Sequence, residues 1–180
     1  MFKELGIKTP YSLLNYLKKY FNYGFVYRNK VFTETEKDFH KKMDIFYKIR
    51  LGNDFLKNKY GVCWDFCEFE RLFFLEYNIE HNCYFINSKY GENNGPTHTF
   101  IIYKYESKWY WFEYSWFECL GIWEFDTKEN ALKTVLKKYK DSMKVTNIEL
   151  YKIKQIKKRL NTFEYINYCL KSEKVKNLND

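Results

Sequence analysis

The chain has 180 residues, a formal net charge of +8 and 22% aromatic residues, with 18 Tyr and 17 Phe against only 2 Pro and 7 Gly. That length suits about one domain, able to bury roughly 70% of its unfolded surface, and so ring-rich a composition excludes a disordered or low-complexity chain. No run is long enough to span a bilayer, and Met1-Phe2-Lys3-Glu4-Leu5 lacks the apolar stretch of a signal peptide, so a cytoplasmic protein with free thiols is expected.

In chain order, Thr9-Pro10 predicts a helix start, with threonine as cap and proline at the first helical position. Leu13, Leu14, Leu17, Tyr20 and Phe21 recur at helical spacing until Asn22-Tyr23-Gly24 stops the pattern. A short extended segment is expected within residues 25–32. Thr33 and Thr35 each precede an acidic residue and predict a second helix through Phe39, Met43, Phe46, Tyr47 and Arg50, ended by Gly52. Residues 53–60 read as a helical turn or loop leading into Gly61. Residues 64–77 carry Phe66, Phe69, Leu72, Phe73 and Leu75, a helix buried on most of its circumference.

Residues 78–81 read as a turn, 82–87 as a strand, and 88–96, rich in Gly and Asn, as the longest loop. Residues 98–105 and 109–116, joined by Glu106-Ser107-Lys108, predict an antiparallel hairpin. A short strand or turn at 121–125, a helix opened by Thr127, a strand around 148–153 and a helix capped by Asn161 follow, and the polar tail from Lys171 is expected to fray. The order predicts an α+β fold, a helix packed on a mostly antiparallel sheet with flanking helices at both ends. No repeat or linker marks a second domain. Residues 1–180 are expected to form one unit: a core at about 55–120, N-terminal helices at 9–52 and a basic helical and strand extension at 126–172.

Residues 126–180 hold 14 Lys and Arg against 7 Asp and Glu, so nearly all the net charge lies there. A solvated lysine face is the plainer explanation, and with no recognised motif beside the charge no specific nucleic-acid partner is expected.

The chemistry centres on Gly61-Val62-Cys63-Trp64-Asp65. It places a thiol at a helix N-terminus, where unpaired N–H groups and the macrodipole favour negative charge and hence the attacking thiolate. Of the three histidines, His40 lies in a lysine-rich helical stretch and His81 in a turn, whereas His98 opens an apolar strand. The returning strand carries Glu113 among aromatic residues, where an unpaired carboxylate would be costly and a bond to an imidazole would satisfy it. Cys63, His98 and Glu113 thus read as nucleophile, base and orienting residue.

These residues resemble the transglutaminase-like superfamily of papain-type thiol enzymes. Gly61-Val62-Cys63, followed by Phe69, Leu72, Phe73 and Asn78-Ile79, is similar to its nucleophile helix. His98-Thr99-Phe100 resembles its histidine strand, Glu106-Ser107-Lys108-Trp109-Tyr110 its hairpin, and Glu113-Tyr114-Ser115-Trp116 its closing Asp-Pro-Thr-Trp segment. The likeness covers residues 55–120. It departs from the family at Glu113, where Asp is usual, and at Tyr114, where proline is usual.

The resemblance implies a papain-like core and acyl transfer through a Cys63 thioester, with no cofactor or metal. A protein, peptide or small-molecule amide would be the substrate, and hydrolysis is favoured over transfer to an amine. The N–H of Cys63 or Trp64 would be one oxyanion donor. Asn53, Asn58 and Tyr60 are candidates for a second, and Trp64 for a substrate contact, while Asp65 reads first as a helix-start residue. Two competing readings are a zinc site at Cys63, Cys67, His81 and Cys83, which lacks the two-residue cysteine spacing of zinc knuckles, and a binding module that keeps the fold without turnover.

Overall fold

The computed structural model describes residues 1–176. Helix α1 (Pro10–Tyr20) starts as its residues dictate: Thr9 Oγ1 accepts from the Ser12 N–H at 3.1 Å and Ser12 Oγ accepts from the Thr9 N–H at 2.8 Å. Strand β1 (Asn22–Tyr23), the hairpin β2 (Phe25–Tyr27) and β3 (Lys30–Phe32), α2 (Phe39–Phe46), α3 (Gly52–Asn58) and β4 (Tyr60–Gly61) lead into α4 (Cys63–Glu76). Then come β5 (His81–Tyr90), β6 (Asn93–Tyr105), β7 (Lys108–Glu113), a 3-10 turn (Phe117–Cys119) and β8 (Gly121–Phe125). Helix α5 (Lys128–Met143), β9 (Asn147–Ile153), α6 (Thr162–Leu170) and β10 (Glu173–Lys174) complete the described chain. No described helix is long and apolar enough to cross a membrane.

The large sheet has the order β10-β9-β5-β6-β7-β8, every neighbouring pair antiparallel. Alternation along its strands divides the core in two. Cys83, Phe85, Ile101, Tyr103, Phe112, Tyr151 and Ile153 pack with α4 and the N-terminal elements. Tyr84, Ile86, Phe100, Ile102, Trp111 and Leu150 pack with Ala131, Leu132, Val135 and Tyr139 of α5. The mixed architecture is the α+β class expected from sequence, with the C-terminal extension built into it: α5 covers one sheet face and β9 pairs with β5.

Helix α4 buries 11 of its 14 residues. Phe, Trp and Cys are middling helix formers, so tertiary burial rather than propensity makes this segment helical. Each fully buried ring, Phe66, Phe69, Phe73 and Phe74 among them, stabilises by roughly 1.5–3 kcal/mol. The buried Arg71 donates to Glu68 at 2.9 Å and to the carbonyls of Ile153 and Lys154 at 3.2 and 3.3 Å, fastening α4 to the end of β9.

Four local expectations need correction. The second helix begins only at Phe39, because Asp38 is left-handed at φ 64° and residues 33–36 close a turn instead. Gly52, at φ 49°, opens α3 rather than closing the helix before it. Most of residues 88–96 is strand: Lys89 and Tyr90 pair with Asn94 and Asn93, and the turn shrinks to Gly91-Glu92. The glycine signal there marks close approach, since a Cβ at Gly95 would meet Ser88 Oγ at 2.6 Å. In the tail, Glu173 and Lys174 pair with Lys152 and Tyr151 as β10, and residues 177–180 lie outside the described residues.

Gly61 is fixed by space, for a Cβ there would meet the Phe55 ring at 2.4 Å and the Asp65 side chain at 2.8 Å. Gly61→Ala should therefore lower the unfolding free energy by about 1–3 kcal/mol in urea titrations. An unchanged midpoint would show that the Phe55 ring is not seated against this backbone.

Candidate active site

The start of α4 is held by one buried carboxylate. Asp65 accepts from the Val62 N–H at 2.8 Å, the Arg50 N–H at 2.7 Å and the Tyr47 hydroxyl at 2.8 Å. Burial pushes this carboxyl up to about 7, with the three donors working in the opposite direction. Asp65 is thus the helix-start residue its position suggests, and a far more connected one. Cys63 follows at the first helical position with its N–H free of intrahelical partners.

His98 and Glu113 come from the sheet. Both share the parity of Phe100 and Trp111, so they project from the α5 face as diagonal neighbours on β6 and β7. His98 Nε2 lies 2.8 Å from Glu113 Oε2, with side chains only 8% and 1% exposed. Because Oε2 accepts, Nε2 carries the hydrogen. The other ring nitrogen, Nδ1, is left for a second partner, and the Cys63 thiol is the neighbouring group that can take it. Burial alone would lower the basicity of the ring, but the Glu113 carboxylate and the Cys63 thiol outweigh it and His98 is pushed up to about 10.

The longer arm of a glutamate is absorbed by the turn that follows it. Glu113 Oε1 accepts from the Ser115 N–H at 2.8 Å, the Ser115 hydroxyl at 3.1 Å and the Trp116 N–H at 2.8 Å, which leaves Oε2 for His98. Tyr114, where proline is usual, sends its hydroxyl to the carbonyls of Leu17 and Phe21, at 3.0 and 2.7 Å, and so ties the end of α1 to this turn. The approach to His98 is braced too, with Ser88 and Tyr139 both donating to the Pro96 carbonyl, at 2.6 and 2.7 Å. The Tyr139 and Trp116 rings stand 6.1 and 5.7 Å from the imidazole.

Cys63 and His98 face one cleft of about 820 Å³, walled by Tyr23, Pro96, Thr97, Tyr114, Trp116 and Tyr139. Glu113 lies behind His98, not in the cleft wall. The other side chains singled out from sequence are elsewhere. Asn53 is exposed on α3, and Tyr60 is half-buried in β4. Asn58 is committed to Asp54. Trp64 is stacked on Tyr165 at 4.6 Å between ring centroids. None of the four lines the cleft.

His40 is exposed at the cleft rim, and His81 heads β5 with Nδ1 on the Ile79 carbonyl at 2.8 Å. Cys67 points its thiol at the Phe100 carbonyl, and all five cysteines are free and buried. Among the described residues no three His, Cys, Asp or Glu side chains converge as metal ligands. Sequence reasoning missed Tyr23, Tyr139 and the donors of residues 115–116. Only Ser115, two residues after the acid, offered a local signal.

No curated protein and no solved structure matches the chain at a significant level. A family profile described as transglutaminase-like domain matches residues 7–151, which takes in α1 through α5, most of the strand β9 and every residue of the cleft named above. On that match, and with a mixed helix and sheet architecture that agrees with it, the chain belongs to the transglutaminase-like domain family.

Proposed function

We propose that the protein is a thiol-dependent amide hydrolase in which Cys63 is the nucleophile, His98 the general acid and base, and Glu113 the residue that orients His98. The observation that carries this reading is the opening of Cys63 and His98 on one cleft with Glu113 bonded behind the imidazole. A protonated ring beside the sulfur favours the thiolate, the attacking form. The sulfur adds to the amide carbonyl, and the oxyanion that develops is met by the Cys63 N–H at the helix start. Collapse breaks the C–N bond, and the amine leaves with the proton of His98. Water then adds to the thioester, His98 takes its proton, and the acid departs as the thiol re-forms. An amine in place of water gives acyl transfer by the same steps. Glu113, held by three further donors, keeps Nε2 protonated and Nδ1 turned to the sulfur.

Two measurements test the pair. Iodoacetamide at pH 6 should label Cys63 ahead of the other four cysteines. His98→Ala should slow that labelling by roughly two orders of magnitude, since an unassisted thiol of pKa about 8.5 is under about 1% ionised there. Equal labelling of all five cysteines, or a rate untouched by His98→Ala, would favour a binding module without turnover.

The second measurement is pH-dependent stability. The folded ring holds its proton up to about 10 against an ordinary 6.5, so its contribution is complete below pH 6.5 and is lost as pH rises towards 10. Urea midpoints should decline across that window, and decline less in Glu113→Gln, which removes the charge that raises the ring. The buried thiols of Cys67 and Cys169, which burial pushes up, add to the fall at the alkaline end. The difference between the two proteins therefore reports His98, and parallel curves would remove Glu113 from this role.

A further inference from the structure

A single N–H is half of an oxyanion site, and none of the side chains nominated from sequence reaches the cleft to complete it. The chain just after α1 does reach it. Strand β1 pairs parallel with β4, placing Tyr23 opposite Gly61, two residues before Cys63. The Asn22 N–H donates to the Lys59 carbonyl at 3.0 Å and the Gly24 N–H to the Gly61 carbonyl at 2.9 Å, so the Tyr23 backbone is pinned on both sides. Gly24 cannot be replaced freely, for it sits at φ 145° with the Phe32 carbonyl 2.4 Å from where a Cβ would be. The Tyr23 ring rests by Phe39, with centroids 6.4 Å apart, and lines the cleft together with Cys63 and His98. Its phenol oxygen lies near the backbone N–H of Cys63.

We propose that the Tyr23 hydroxyl is the second oxyanion donor, a catalytic residue that completes with the Cys63 N–H a two-donor site for the carbonyl oxygen under attack. The proposal rests on the reading of Cys63 and His98 given above. A phenol both donates and accepts. A phenol oxygen beside that N–H can accept from it while no substrate is bound. When a carbonyl oxygen takes that N–H, the neighbouring O–H can turn to the same oxygen, so no donor or acceptor is orphaned at either stage. Burial keeps the phenol protonated well above its ordinary range, so it remains a donor at neutral pH. No bond is made or broken at Tyr23; it only stabilises the charge that the thiolate delivers to the carbonyl oxygen.

The test separates attack that needs an oxyanion from attack that does not. Iodoacetamide alkylation displaces iodide and forms no oxyanion, whereas acylation by p-nitrophenyl acetate passes through one. Tyr23→Phe keeps the ring against Phe39 and should label with iodoacetamide within about twofold of the parent, while its p-nitrophenolate burst slows by about 10- to 100-fold. Circular dichroism matching the parent would confirm that the variant is folded. Normal acylation by a folded Tyr23→Phe protein would overturn the proposal, as would faster acylation, which would make the hydroxyl a plug on the N–H instead. A loss seen in Asn22→Ala and not in Tyr23→Phe would give the role to Asn22 and overturn it equally. Failure of Cys63 to label selectively in the parent would instead defeat the thiol reading itself, and this proposal with it.

Discussion

Asp65 is the point on which the geometry of this protein turns. Its buried carboxyl group collects donors from three places along the chain: the hydroxyl of Tyr47, the N–H of Arg50 and the N–H of Val62. Bonds of this kind to a buried charge are worth roughly 1.5–3 kcal/mol each, and orphaning them costs more. They bind the segment between α2 and α3 to the first turn of α4 and so decide where the thiol of Cys63 stands. The cost is visible in the carboxyl itself, which burial pushes up to about 7 despite its three donors.

The second half of the site is set by the sheet rather than by a helix. Strand parity aims His98 and Glu113 from one face, and the turn at residues 114–116 sets their separation by saturating Oε1 of Glu113. The substitutions at this turn act together. A glutamate is one methylene longer than an aspartate, and the three donors take up that length by drawing one oxygen back into the turn. Tyr114 lacks the rigidity of a proline, but its hydroxyl on the carbonyls of Leu17 and Phe21 gives the turn an external anchor instead.

Much of this was legible in the residues because the signals are local. The cap at Thr9, the glycine before Cys63, the two-stranded period around residues 98–113 and the odd acid among rings each act within a few positions. Their order along the chain is enough to bring a helix start and a hairpin into one family's arrangement. What escaped the sequence is held by contacts distant in the chain. Tyr23 reads as part of a helix stop, and only its pairing with Gly61 carries it to the cleft. Tyr139 reads as one more apolar position of α5, yet its hydroxyl braces Pro96 from 43 residues away. The glycines and asparagines of residues 88–96 spoke for a loop, because close strand approach and turn formation use the same residue types.

Electrostatics explains why a third carboxyl group can lie near this pair without spoiling it. Glu70, two turns along α4 from Cys63, is buried at 3% exposure. Burial first, and the nearby Glu113 charge second, push it well above the usual carboxylate range. Both influences favour the uncharged form of Glu70, whereas the bond to His98 is made by Glu113. Two ionised carboxylates there would compete for one imidazole in a setting of low polarity, and repulsion would be felt strongly. The asymmetry follows from partners: Glu113 is met by four donors, and Glu70 is set against the charge of Glu113. Burial thus works against a charge on Glu70, and the largest attraction felt by the His98 ring comes from Glu113 at the end of β7, with Cys63 of α4 adding to it.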